Sequence, residues 1–309
     1  MFKRIFFAVV FMAFFSLGHA QEEINIVWGF HIGNNQVTTI RGMIEELNQH
    51  QNKYRFQLVH RPGAGGTISA NSATSNPNNT IVAMSSSFII RPYFVKDSPT
   101  HNLNTFNPIL VQGNGVPLFI VSAQITKMQD LIKHPNATIG VSGIGSISHL
   151  VASEIVALNP SARIINFKNM IDAATAAAGG HVDAAIAFKV DIQGIVEAKK
   201  LSVLGYTGSK PLAGFEDSLL PKNSFAEMVS VTANHAMYVS TSMAPERFHE
   251  IRSLMTWANK TPKTLEGHGK NQMIPSDLDL TQTQAWYESE RKFWQNKITK
   301  IHTKVEEAK

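Results

Sequence analysis

The sequence predicts an α/β chain organised as two units, each a mostly parallel sheet flanked by helices, with a cleft between them. Three observations carry this expectation. Short apolar runs alternate with helical apolar periodicity across short loops, as in βαβ units. The alternation restarts near residue 118, after the first unit has run its course. Glycine-rich turns stand directly between a strand and the next helix at two places, Arg61–Thr67 and Ser142–His149.

The first twenty residues stand outside this plan. Lys3 and Arg4 form a basic start, Ile5 to Phe15 is an almost unbroken apolar run, and Gly18-His19-Ala20 offers small residues for cleavage. The run is far shorter than the roughly 20 residues that a membrane span needs. A signal peptide over residues 1–20, removed on export to the periplasm, is therefore expected. Cysteine is absent, which excludes a cysteine-linked lipid anchor, a disulfide framework and a thiol nucleophile. Of the 309 residues about 289 remain once the leader is removed; they must rest on their core, and they have room for two domains. The formal net charge of +5 includes the two charges of the leader. Such mild basicity, spread along the chain, points away from nucleic acid.

Ile24 to Trp28 reads as the first strand. A polar loop, Phe30 to Thr39, leads to a helix with Ile40, Met43, Ile44 and Leu47 at i, i+3, i+4 and i+7. Tyr54–Val59 is a strand, Ile68–Ser75 a small-residue helix and Thr80–Met84 a buried strand. In the second unit, strands are expected at Leu118–Val121, Thr138–Val141, Arg163–Phe167, Val182–Phe188 and Ser202–Tyr206. Helices fall between them at Met128–Lys133, Leu150–Ala157, Ile171–Ala178 (stopped by Gly179-Gly180) and Ile192–Ala198. Lys222–Met228 reads as a solvated linker and Ala236–Ser240 as a return strand. Pro245 opens a helix to Asn259 from a favoured N1-type position. The last helix is expected to start at a Thr281/Gln284 capping box, and its stripe of Trp286, Glu290, Phe293 and Trp294 to pack on the first unit. The implied division is domain one at 21–121 and 237–309, and domain two at 122–236.

The chemistry-bearing pattern is concentrated in loops that follow strands, where α/β sheets bind ligands. At 142–149, Gly143 and Gly145 precede a helix start carrying Ser142, Ser146, Ser148 and His149. Free backbone N–H groups and the positive end of a helix dipole make such a turn an anion site. Gly65, in Arg61-Pro-Gly-Ala-Gly-Gly-Thr67, sits at a second helix start, but the P-loop ending is missing. Asn34, Asn35 and Gln36 supply amides to the first loop, and Ser85-Ser86-Ser87 follows the third strand. Catalytic patterns are missing: no His-Glu-x-x-His, no Gly-x-Ser-x-Gly, and no trusted metal spacing among the 12 histidines. Asp172, Asp183 and Asp191 fall on different elements and form no evident acid/base pair. His149 reads as a structural histidine rather than a base.

In order and spacing, these motifs resemble the periplasmic solute receptors of tripartite tricarboxylate transporters, often called Bug receptors. Arg61-Pro-Gly-Ala-Gly-Gly is similar to the family's Asn-Arg-Pro-Gly-Ala-Gly-Gly, and Ser142 to Leu150 is similar to its Ser-x-Gly-x-Gly-Ser-x-Ser-His-Leu. Gly179-Gly-His-Val-Asp183 resembles Gly-Gly-Gln-Val-Asp. Ala198–Leu204 resembles Ala-Gly-Lys-Leu-Arg-Ala-Leu, and Glu290-Arg-Lys-Phe-Trp294 resembles Glu-x-x-Lys-Trp. The resemblance implies a two-domain Venus-flytrap fold, the periplasmic-binding-protein architecture. It implies a non-enzymatic, monomeric receptor without metal or cofactor. That receptor would close on a small organic carboxylate and hand it to the permease subunits of a tripartite tricarboxylate-type transporter.

The ligand-binding set implied is Gly33, Asn34, Asn35, Gly65, Ser86, Ser142, Gly143, Gly145, Ser146, Ser148, His149 and Phe188. The family's Pro-Gly-Gly-Ala-Thr-Asp loop is replaced here, with Gly33 alone retained, and its Phe-Asp pair becomes Ile186-Ala187. Both changes remove carboxylates suited to an ammonium group, which favours a plain mono-, di- or tricarboxylate over an amino acid. Lys189 adds a cation near the expected cleft. Two other functions share the sequence features: a solute sensor for a membrane kinase, and a periplasmic hydrolase with a triad assembled across the fold.

Overall fold

The computed structural model describes residues 21–30, 35–95 and 100–307. The expected leader, residues 1–20, lies outside the described residues, as do Gly33 and Asn34. The chain opens with β1 (Glu22–Trp28), α1 (Asn35–His50), β2 (Tyr54–His60), α2 (Thr67–Ser75), β3 (Thr80–Ser85) and α3 (Ser87–Phe94). Next come β4 (Phe106–Pro117), β5 (Phe119–Ser122), α4 (Met128–Lys133), β6 (Thr138–Val141) and α5 (Ile147–Leu158). They are followed by β7 (Arg163–Asn166), α6 (Met170–Ala178), β8 (Ala184–Ala187), α7 (Lys189–Glu197) and β9 (Ser202–Tyr206). The last elements are α8 (Lys222–Val229), β10 (Thr232–Ser240), α9 (Pro245–Ala258), α10 (Pro262–Lys270), β11 (Ile274–Pro275) and α11 (Leu280–Glu307).

Two sheets result, with strand orders β11-β4-β10-β3-β1-β2 and β7-β6-β8-β5-β9. Each contains a parallel trio built the same way: β2-β1-β3 in the first and β7-β6-β8 in the second. Antiparallel strands extend both trios, so the sheets are mixed rather than mostly parallel. Connectivity is the reason. The chain leaves the first sheet along β4 and comes back along β10, and these two long strands pair with each other as neighbours.

α1 lays Val37, Ile40, Met43 and Leu47, all fully buried, against one face of the first sheet together with α9. It begins at Asn35, earlier than Ile40, because its polar first turn finds internal partners. Gln36 Nε2 donates to Gln112 Oε1 at 3.3 Å, and Asn271 Nδ2 donates to Thr39 Oγ1 at 3.1 Å. Residues expected to face a ligand are thereby tied into the protein. Lys222–Met228 is not a solvated linker but most of α8, since Phe225 and Met228 bury themselves against the second sheet's layer. α11 starts two residues earlier than expected: Asp279 accepts the Gln282 N–H at 2.8 Å, and Gln282 Oε1 accepts the Asp279 N–H at 3.0 Å. That reciprocal pair is the true capping box. Pro245 is at the first turn of α9, as expected.

A second core cluster, under α6 and α7, covers one face of the second sheet. The largest cluster is shared: Phe88 of α3, Leu150 of α5 and Trp294, Ile298 and Ile301 of α11 pack in one body. The last helix thus spans both sheets. Among the described residues no helix is long and apolar enough to cross a membrane.

Candidate functional site

In a parallel trio of order 2-1-3, the chain turns in opposite directions after the first and third strands, which opens a crevice at their carboxyl ends. Both trios have this order, and their crevices meet. Trp28 and Phe30 come from the end of β1, Ser85 and Ser87 from the end of β3. Ser142 and Ile147 follow β6, and Phe188 and Asp191 follow β8. These eight residues, with Lys168, Asn169, Met170, Ile171 and His235, line one inner chamber of about 550 Å³ including its solvent-open mouth. An outer chamber adjoins it, lined by the Pro62–Gly65 turn, Arg91, Ser142–Ile144 and Phe167–Asn169.

The loop entering α5 is held by its own side chains. Ser146 is the N-cap and accepts the His149 N–H at 3.1 Å. Ser148, fully buried, accepts the Ser142 N–H at 3.0 Å and lies 3.0 Å from Ser142 Oγ and 2.9 Å from Ser146 Oγ. His149 Nδ1 accepts the Gly145 N–H at 3.2 Å, so a neutral ring carries its proton on Nε2. Burial holds that ring neutral by lowering its pKa to about 4. Gly143 and Gly145 have φ of 107° and 76°, conformations costly for any residue with a Cβ. A Cβ on Gly145 would also sit 3.2 Å from Arg91 Cγ, whereas one on Gly143 would meet nothing within 4 Å.

The opposite wall reaches across. Ser87 Oγ accepts the Ile147 N–H, the first of α5, at 3.2 Å. Arg91, a buried cation on α3, donates from Nη1 to Ile144 O at 2.6 Å and from Nε to Thr67 Oγ1 at 3.2 Å. The Gly63–Gly66 turn makes room for it: a Cβ on Gly65 would lie 2.6 Å from Arg91 Nη1. Three further helix starts bound the inner chamber: α3 through Ser87, α6 through its N-cap Asn169, and α7 through its N-cap Phe188. Burial, helped by the neighbouring His268, pushes His235 down to about 3; burial raises Asp191 to about 6, with a hydrogen bond from the Phe188 N–H pulling Asp191 back. Among the described residues no group of three potential ligands has metal-binding geometry.

A family description, tripartite tricarboxylate transporter family receptor, matches residues 46–303. The chain belongs to this receptor family. Solved structures of similar fold include the periplasmic binding protein BugD, 19% identical, covering 92% of this chain and 99% of that one, with a TM-score of 0.80. MatC from Rhodopseudomonas palustris with bound malate is 13% identical over 90% and 99% of the two chains, with a TM-score of 0.78. R. palustris Rpa4515 with adipate is 17% identical over 92% and 97%, with a TM-score of 0.79. No curated protein sequence matches. At these identities the structural likeness establishes the periplasmic-binding-protein fold, and the family match makes the chain a transport receptor rather than an enzyme.

Of the residues read from this receptor's sequence, Gly65, Ser142, Gly143 and Phe188 stand on the chamber walls. Gly145, Ser146, Ser148 and His149 stand behind the wall and shape it. Ser86 also turns away, accepting the Asn234 N–H at 2.9 Å, and its neighbour Ser87 takes the facing position. Asn35 is the first residue of α1; Gly33 and Asn34 lie outside the described residues. Lys189 lines a side chamber with His235, and its ammonium rests 5.2 Å above the Phe215 ring. Sequence reading missed Trp28, Phe30, Arg91, Lys168, Asn169, Asp191 and His235. For Trp28, Phe30 and Asn169 the usable signal was position at a strand's carboxyl end or at a helix N-cap.

Proposed function

We propose that this receptor captures a small organic carboxylate in the inner chamber and delivers it to the membrane permease of a tripartite tricarboxylate-type transporter. It works in the periplasm, as a monomer, once residues 1–20 have been removed. The observation that carries the reading is the convergence of four helix N-termini on one chamber: those of α3, α5, α6 and α7. Each brings the positive end of a helix dipole to the wall, so the chamber favours an anion without a dedicated arginine clamp. Ser142, Gly143, Gly65 and Phe188 are the wall residues proposed to touch the ligand or its water, with Gly145, Ser146, Ser148 and His149 holding that wall. Gly33, Asn34 and Asn35 are kept as proposed ligand contacts on the sequence reading, and Ser87 replaces Ser86. The apolar part of the wall (Trp28, Phe30, Ile147, Met170, Ile171) suits a short hydrocarbon body.

The two lobes are proposed to hinge where the chain passes between the sheets, at Pro117–Phe119 and between Tyr206 and Thr232. On this reading both boundaries fall before the 121/122 and 236/237 division expected from sequence. The acids bound by two relatives, malate and adipate, with succinate and citrate beside them, form the first panel for thermal shift on the mature protein. A ligand at about a hundred times its Kd adds about 2.7 kcal/mol of stability. Should no acid across a broad panel raise the melting temperature, the receptor reading fails.

A further inference from the structure

We propose that Asp191 selects ligands carrying an ammonium group beside their carboxylate, so that the inner chamber prefers amino acids to the corresponding plain acids. This rests on the reading of the chamber as a carboxylate site, and it reverses the preference drawn from the lost family carboxylates.

The argument starts from charge. Asp191 lines the same chamber as Ser142 and Ile147, so an anion-favouring helix start and a carboxylate share one small cavity. Among the described residues no ion pair reaches it, and no neighbouring charge contributes to its titration. His235, on the same wall, is kept neutral by burial. Lys168, the remaining charged group on the wall, is exposed at the chamber's mouth and makes no contact with Asp191 within ion-pair distance. Lys189, two residues before, is drawn aside over Phe215. The half-buried Asp191 carboxylate thus faces the cavity without a countercharge, an arrangement that a ligand cation relieves.

Asp191 also has a local duty. It is the third residue of α7 and accepts the N–H of the N-cap residue Phe188. That uses part of an acceptor set with about four lone-pair sites, and leaves capacity for a ligand donor. A capping duty alone would also be served by asparagine, which separates the two roles. With the positive end of the α5 dipole on the Ser142 side and Asp191 on the α7 side, the chamber is complementary to a zwitterion. Its apolar wall takes the side chain.

The test compares paired probes on the mature protein by titration calorimetry: L-leucine with 4-methylpentanoate, L-phenylalanine with 3-phenylpropanoate, L-glutamate with glutarate, and 4-aminobutanoate with butanoate. In at least one pair the amino member is expected to bind about tenfold tighter or better, the scale of a single desolvated charge contact. Asp191→Asn keeps an acceptor for the Phe188 N–H and is expected to abolish that preference, weakening the amino member while the plain acid binds as tightly as before or tighter. Plain acids binding as tightly as their amino partners in the wild type would overturn the assignment, and that comparison needs no variant to fold. So would an Asn variant that weakens both members alike. If neither member of any pair binds, nor any acid of the wider panel, the carboxylate reading itself fails and this inference fails with it.

Discussion

Lys297→Met should cost about 3–5 kcal/mol of folding stability, because it leaves a buried carboxylate without a countercharge. The Lys297 side chain is 4% exposed and its Nζ lies 3.0 Å from an oxygen of Glu154, which is 5% exposed. A second carboxylate, Glu227, is also 3.0 Å away but is 43% exposed. The ammonium further donates to Glu227 O at 2.6 Å and to Ser230 Oγ at 3.3 Å. With the ammonium gone, Glu227 can turn to water and Glu154 cannot. The three residues sit on α11, α5 and α8, so the cluster fastens the last helix to the layer that covers the second sheet. Against a total stability of about 5–15 kcal/mol, such a loss is large. Urea unfolding of the mature protein followed by circular dichroism reads it as a lower midpoint at constant m-value. Adding Glu154→Gln to the same chain removes the stranded charge and should restore most of the loss, giving a sizeable coupling in the double-mutant cycle. A single-variant cost under about 1 kcal/mol, the size of an exposed pair, would refute the reasoning. A double variant no more stable than the single one would do the same.

Three further outcomes follow from the geometry. Gly65→Ala places a Cβ 2.6 Å from Arg91 Nη1 at a φ of 57°, and should both destabilise and loosen the Arg91–Ile144 tie. Gly143→Ala, with nothing within 4 Å, should show the backbone cost alone, about 1–3 kcal/mol, and unfolding curves of the two variants separate the effects. Stability should fall as pH drops from about 6.5 towards 4. Burial lowers His101, His149 and His268 to about 4 and His235 to about 3, so the unfolded chain takes up protons there that the fold refuses. Asp191, raised to about 6, opposes this because protonation relieves its burial as pH falls, but it is outnumbered; equal melting temperatures at pH 7.5 and pH 5 would contradict the balance. Asp279→Ala removes the N-cap of α11 and should cost about 0.5–2 kcal/mol by the same unfolding assay.

The elements that the sequence displayed plainly were those with a single period. The Ile40–Leu47 stripe read correctly because burial of one face is written directly into its spacing, and the Val182–Phe188 run holds β8 (Ala184–Ala187), a continuous apolar segment buried on both faces. β4 did not read as a strand: Pro108, Gly113 and Gly115 break its pattern. Yet Gly113 is required there, since a Cβ would lie 2.4 Å from Met273 Cγ, a contact 160 residues away in the chain. The Lys222–Met228 error has the same origin, a polar stretch whose Phe225 and Met228 are buried only by tertiary neighbours. At the site, the glycine loops and serines were visible as a pattern, but not which hydroxyl faces the chamber. Ser86 and Ser87 differ by one residue on the first turn of a helix, and Ser146 and Ser148 spend themselves on each other and on the loop backbone. Arg91 was hidden because it acts across the gap between elements that no local pattern connects, and Asp191 because the chamber wall it stands on is assembled from separate strand ends.

Those two residues also divide the labour of recognition. Helix starts offer N–H groups that any carboxylate can use, so four of them converging on a chamber give affinity for an anion while saying little about the rest of the molecule. Arg91, the buried cation beside the chambers, is already engaged: its Nη1 spans to Ile144 O and its Nε to Thr67, so it joins walls instead of taking the ligand. Selectivity must then come from the side chains that the two 2-1-3 trios bring to the same point. After β1 and β3 these are aromatic rings and hydroxyls; after β6, a serine on a glycine-bent loop; after β8, Phe188 and the one carboxylate facing the inner chamber among the described residues. A chamber that reads carboxylates through backbone is generic. A single unpaired aspartate on its wall is the feature that makes it choose.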